Sequence, residues 1–436
     1  MPLGLHADCL ARLREVVADA IPRLEVQQGM FLTAESFGHL FTADAALEQR
    51  GAIHDRLLAW IGDTPASTFI YHRLNREILG VRRYLEQGVP ASQPLQGLPS
   101  FADAGAVAVR LVDEFESLPW DYSITFAIPK TFSALFATET RRVVLSERLA
   151  IVVPDGTYET TVSDSTADGG GLLGGLTGYS PSFSSRETGA SYIEMRVTGF
   201  VAPHGSTAPL DAVETTVREF SGLGIALRLF APPRPYGRNF HQPRFTVHRK
   251  QGEAWVFDCE PLWDTDQSRT FRELELDTIF GHLATDAQKT QWMLSVLPRI
   301  ARVFSSAETH RMRRGAQWLF DSFCEHDLPL AFVQAAVVME VLLGGDRSTS
   351  DAVGLAELLS SRLAYLVGTS PTDREHVASE FKDIYDVRSR IIHEGKSTLS
   401  TREHEQLIQL RNLCRRVIFR EMDLLDAAAE RPRVTR

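Results

Sequence analysis

Arg388 and His393 lie five positions apart in the run Tyr385-Asp386-Val387-Arg388-Ser389-Arg390-Ile391-Ile392-His393-Glu394-Gly395. Arginine is a fixed cation that clamps a phosphate through parallel N–H bonds. Histidine is the side chain best placed to move a proton near neutral pH. Together they suit cleavage of an RNA phosphodiester with no metal and no cofactor. The 2′-hydroxyl attacks the adjacent phosphorus and expels the 5′-oxygen, leaving a 2′,3′-cyclic phosphate and a 5′-hydroxyl. Arg388 would stabilise charge on the phosphoryl oxygens. His393 would act as base or acid, or orient the phosphate. DNA, lacking the nucleophile, should not be cut.

The neighbouring residues have supporting roles open to them. Asp386 and Glu340 could hold Arg388 or tune His393 by charge. Glu340 stands in an apolar stretch, so its burial calls for a partner, Arg362 or Arg388. Arg362 could instead be a second phosphate contact. Ser389 reads as a local hydrogen-bonding residue. Arg390 and Lys396 are nearby cations, and Arg311, Arg313 and Arg314, with Arg299 and Arg302, could form an RNA-binding face or a solvated helix surface. Arg388 and His393 could also merely complement a helix C-terminus.

These residues must be positioned by helices. Periodicity predicts an all-helical region over 271–436, with helices at Asp286–Ser305, His310–Glu325, Pro329–Leu343, Gly354–Val367, Pro371–Ile392 and Thr401–Ala429. Residues five apart on an ideal helix point about 140° away from each other. Arg388 and His393 therefore converge only if the helix frays near Ile392 and Gly395 takes a left-handed cap. The stripe Leu407, Leu410, Leu413, Val417 and Met422 reads as bundle core first and dimer seam second.

Upstream, residues 119–270 read as β-rich, with strands at Tyr122–Ala127, Arg148–Val153, Tyr158–Ser163, Tyr192–Val201, Ile225–Phe230, Phe245–Arg249 and Ala254–Cys259. A helix is expected at Ala212–Glu219. Residues 1–118 read as helical. The whole is an α+β multidomain chain. The Gly-rich loop at 169–175 lacks the ending of a phosphate loop and reads as a connector. His241, His248, Asp258 and Cys259 fit no closed zinc pattern. Trp120, Trp255 and Trp263 read as core.

The C-terminal region resembles the HEPN superfamily, and within it the Apea-like branch. Arg388-x4-His393 carries the resemblance together with Tyr385, Ser389 and Gly395. Ala335–Leu343 is similar to the family's acidic helix and Ser361–Leu366 to its arginine-bearing helix. The resemblance does not extend to residues 1–285. It implies a small helical bundle that pairs as a two-fold homodimer and acts as a metal-independent endoribonuclease in prokaryotic anti-phage defence or a toxin-like response. Inactive members supply the alternative, a binding and dimerisation module, against which the intact arginine and histidine positions lean. In either case the upstream regions would sense a trigger or ligand that the sequence does not identify.

Composition sets outer bounds. The chain has 436 residues, 44% hydrophobic and 23% charged, as in ordinary globular proteins. A net charge of −10 argues against a general nucleic-acid coat. No apolar run is long enough for a membrane span, and the N-terminus does not look like a signal peptide. Four scattered cysteines suit buried thiols in a reducing cytoplasm.

Overall fold

The computed structural model describes residues 2–430 apart from 48–50, 82, 86–87, 137–141, 154–161, 164–190, 206, 233–244, 264, 284 and 345–353. The Gly-rich loop, His241 and most of the expected strand Tyr158–Ser163 lie outside the described residues.

The N-terminal region comprises α1 (Ala7–Ala20), β1 (Glu25–Gln27), β2 (Phe31–Leu32), α2 (Ala34–Ala45), α3 (Ala52–Trp60), α4 (Pro65–Val81), β3 (Ser92–Pro94) and α5 (Ala104–Glu116). Thr33 and Asp103 cap α2 and α5 by accepting the N–H groups of Ser36 and Ala106. Val17, Phe69, Leu74, Leu111 and Phe115 anchor its own core. The small sheet β2-β1-β3 interrupts a region that reads as helical, because strands of two or three residues carry too little alternation to be seen. The region docks on the sheet that follows: Phe200 N–H donates to the Trp60 carbonyl at 3.0 Å, and Arg76 pairs with the buried Asp258.

The central region contains β4 (Trp120–Ala127), α6 (Lys130–Phe136), β5 (Arg142–Val144), β6 (Leu149–Val152), β7 (Val162–Ser163), β8 (Tyr192–Gly199), α7 (Ala208–Ala226), β9 (Phe230–Ala231), β10 (Thr246–Gln251), β11 (Ala254–Cys259), α8 (Asp266–Arg272) and β12 (Glu275–Leu276). Seven strands form one sheet in the order β5-β6-β8-β4-β10-β11-β7. Its pairings are antiparallel except β11 with β7. β9 and β12 pair separately.

One expectation is overturned here. Residues 225–230 are not a strand: α7 continues to Ala226, and only Phe230–Ala231 is extended. A short buried apolar run such as Leu223–Ala226 reads alike as strand or helix, and tertiary contact decides it. α7 crosses α10 (His310–Cys324) so closely that a Cβ at Gly222 would lie 1.8 Å from the Ala316 carbonyl oxygen. One turn earlier, Arg218 Nε donates to Asp321 Oδ1 at 2.8 Å, and its Nη2 bonds the other carboxylate oxygen. Asp321 is 2% exposed. Burial lifts its carboxyl above the ordinary pKa against the pull of Arg218.

The C-terminal helices are α9 (Asp286–Ser305), α10, α11 (Leu328–Leu343), α12 (Leu355–Val367), α13 (Pro371–Glu394) and α14 (Thr401–Glu430). Local chemistry sets their ends. Thr285 and Gln288 form a capping box on α9. Asp327 and Ser370 cap α11 and α13, each with proline in the first turn. α11 is apolar nearly throughout and packs against α10, α12, α13 and α14. Leu407, Leu410, Leu413, Val417 and Met422 are all buried within the chain, so that stripe is bundle core and is not free to form a seam. Sheet, α7 and the C-terminal helices share one continuous core, from Tyr122 to Met422. Among the described residues, no helix is long and apolar enough to cross a membrane.

Gly222→Val should force α7 off α10 and destabilise the protein by about 1–3 kcal/mol or more. Denaturant unfolding of wild type and variant checks this; an unchanged midpoint would mean the crossing is not tightly constrained.

Candidate functional site

α13 presents its candidate residues on different sides. Arg388 faces α11: its side chain is 19% exposed, and Nη2 lies 3.0 Å from Glu340 Oε1. Tyr385, one turn earlier, donates its hydroxyl to the same oxygen at 2.9 Å. The Arg388 guanidinium carbon sits 5.5 Å from the Tyr385 ring centroid. Burial, and then the Glu340 carboxylate, push the Tyr385 phenol well above its ordinary pKa, so it stays a donor. Tyr385, Glu340 and Arg388 thus form one node between α11 and α13. The buried Arg388 Nε finds no hydrogen-bond partner among the described residues.

His393 does not join this node. The helix does not fray at Ile392: it stays intact through Glu394, and Gly395, with φ of 68°, closes it by donating its N–H to the Arg390 carbonyl. Gly395 thus takes the left-handed cap expected of it, but the helix runs two residues past Ile392, through His393, so the histidine is not bent back. The Gly395 cap and the continuing i→i−4 bonds cost less than an early fray would. Within one chain Arg388 and His393 therefore diverge by the helical angle of about 140°, with His393 exposed at the helix end.

The remaining candidates are distributed as follows. Arg362 Nη1 bonds the carbonyls of Leu343 and Gly344 at 2.6 and 3.2 Å, capping the C-terminus of α11, while Glu340 is taken by Arg388. Asp386, Ser389 and Arg390 line a groove of about 660 Å³ between α13 and the start of α14. Asp383, Glu394 and Glu403 also line it, so its wall is more acidic than basic. Arg390 and Lys396 share a single carboxylate, Glu403, at 3.1 and 3.2 Å. Arg313 lies 3.6 Å from Glu219, and Arg314 bonds Gln317. Arg311 is exposed. Arg299 and Arg302 reach Asp423 and Asp426 of α14, fastening α9 to it.

Two features here were not anticipated. One is the role of Tyr385 as a buried donor, signalled only by its position one turn before Arg388. The other is the clamp around Glu403, which also accepts the N–H and hydroxyl of Ser400 at 2.8 and 2.9 Å. Burial would raise the Glu403 carboxyl, but the Ser400 bonds and Lys396 outweigh it and hold the pKa below the ordinary value.

The metal reading of His248, Asp258 and Cys259 meets other chemistry: Asp258 is paired with Arg76, and Cys259 is buried. Among the described residues, no group of three or more His, Cys, Asp and Glu is arranged to hold a metal ion. Trp263 is core, whereas Trp120 and Trp255 are half-buried under the guanidiniums of Arg249 and Arg196.

Comparison of the chain with protein-family models, with curated proteins and with solved structures finds no match in any of the three.

A carboxyl with a depressed folded pKa contributes stability above its unfolded value, about 4.3 for glutamate, and loses it as pH falls through the folded value. The segment from Lys396 to Glu403 should therefore stay ordered at neutral pH and loosen on acidification below about pH 4. Glu403→Gln should loosen it already at neutral pH. Amide hydrogen exchange at Ser400 and Glu403 reads both effects; equal protection in the variant would show that the clamp does not order this segment.

Proposed function

We propose that the C-terminal helices form a HEPN-like module that cleaves RNA without a metal, and that its working site is completed by a second copy of the chain. The observation carrying this reading is the Tyr385–Glu340–Arg388 node. Two residues of the Tyr385–Gly395 run and one of the acidic helix meet at one point, around the Arg388 guanidinium. A phosphoryl oxygen that displaced Glu340 would meet a guanidinium suited to clamp it.

The divergence of His393 from Arg388 supports the two-chain form of the proposal. Related by a two-fold axis, two α13 ends bring two arginines and two histidines around one phosphate. Arg388 then offsets charge on the phosphoryl oxygens while His393 of either copy moves the proton. Glu340 keeps the Arg388 charge neutralised in the single chain, which suits an enzyme that must be silent until triggered. The remainder of the molecule would sense the trigger, in a cytoplasmic anti-phage or toxin-like response.

A second reading rests on the same ion pair. With Arg388 occupied by Glu340 and His393 pointing elsewhere, the helices would serve as a binding and dimerisation module without catalysis.

Labelled RNA incubated in EDTA separates the two. His393→Ala should slow cleavage by at least about 10²-fold, the usual contribution of general acid–base catalysis, and the wild-type products should carry 2′,3′-cyclic phosphates. Glu340→Gln, by releasing Arg388, should raise basal cleavage. Equal cleavage by wild type and His393→Ala would remove the catalytic reading.

A further inference from the structure

Further along α14 than the acidic groove, a cleft of about 580 Å³ is walled by four arginines, Arg228, Arg415, Arg416 and Arg420, against the one carboxylate of Asp277 among its lining residues. That is an excess of three positive charges in a chain of net charge −10. Concentrating like charges in one concave place costs free energy unless an anion is to be met there.

The donors are held in place and mostly unspent. Asp277 bridges Arg228 and Arg415 at 3.1 and 3.2 Å. Arg416 Nη2 bonds the Val367 carbonyl at 3.1 Å, and Arg420 reaches Asp423 at 3.4 Å. Arg228 also spends Nε on Asp277 and Nη2 on Thr278, but a guanidinium has five N–H donors, so each of the four retains at least two for a ligand. Arg228 carries a further sign. It follows the end of α7 with φ of 60°, in the left-handed conformation that glycine usually takes just past a helix. An arginine there costs backbone strain that glycine would avoid, and the side chain it supplies lines the cleft.

The walls also carry groups suited to more than phosphate. Phe419, 41% exposed, presents an aromatic ring, and Asn412 an amide. The volume falls in the range of sites for single small molecules.

We propose that this cleft binds a small organic polyphosphate of the nucleoside di- or triphosphate class, its phosphates on the four guanidiniums and its base beside Phe419. The walls come from the end of α7, the segment after β12, the turn between α12 and α13, and α14. A ligand there joins the central region to α14 and to the turn that leads into α13. The proposal does not depend on those two residues being catalytic.

The test uses the full-length protein at low salt without divalent ions, titrated by calorimetry with ATP and with sodium tripolyphosphate. Saturable binding of both is expected, at one site per chain. Arg228→Gly relieves a left-handed arginine but gives up its bonds to Asp277, which Arg415 still pairs, so it should remain folded, yet bind ATP about tenfold more weakly, the loss expected for one charge-assisted contact. Arg420→Glu should weaken binding at least as much; if it does not fold, Arg228→Gly decides alone. No saturable ATP binding up to millimolar concentration would overturn the proposal. So would unchanged affinity in a folded Arg228→Gly. Tighter binding of a short oligoribonucleotide than of ATP, lost in the same variants, would overturn it in favour of an RNA site.

Discussion

The close crossing of α7 on α10 is the contact from which the rest of this molecule is organised. At Gly222 the backbones approach too nearly for any side chain. Beside it, the buried Asp321 depends on Arg218 for its charge. Removing one partner of such a pair leaves an uncompensated buried charge, which costs about 3–5 kcal/mol. A contact with neither spare volume nor spare charge fixes one geometry. It makes α7, which lies in the chain between sheet strands β8 and β10, and α10, the second of the C-terminal helices, parts of one core.

That geometry propagates to the candidate site. Ser322, next to Asp321, accepts Arg411 of α14 and donates to the Ala331 carbonyl of α11. Cys414 donates to the Ala335 carbonyl one turn further along α11. α11 and α14 are thereby fixed relative to α10, and Glu340 is delivered where Arg388 and Tyr385 of α13 meet it. The node is accordingly rigid at its base. The end of α13, with His393 and Gly395, projects beyond it into solvent. A rigid arginine and an exposed histidine on opposite sides of one helix call for a second surface before they can act together, and this is the physical basis for the two-chain proposal.

Much of this was legible in the sequence, and the parts that were not have identifiable causes. The C-terminal helices are long and periodic and carry caps at Thr285, Asp327 and Ser370, so their limits agree with the pattern to within about two residues, inside the scatter expected at helix ends. The strand Ala254–Cys259 was equally plain from its residue types. The segment 225–230 was misread because a buried apolar run has no period of its own. The pairing of Glu340 with an arginine followed from burial, but choosing Arg388 over Arg362 required knowing which way each helix is turned. The cations near the motif looked available because sequence shows charge without its partner: Arg390 and Lys396 share Glu403, and Arg313 has Glu219. The basic cleft was invisible because Arg228 lies far in sequence from the arginines of α14.

The central claim is that Arg388 and His393, divergent in one chain, act together across two. Its most direct test is complementation: mix Arg388→Ala chains with His393→Ala chains, allow them to exchange, and measure RNA cleavage in EDTA. Each variant alone should be inactive, and the mixture should regain cleavage, because mixed pairs bring one intact arginine to one intact histidine. A mixture as inactive as its parents, under conditions where wild type cleaves and mixed pairs form, would contradict the account.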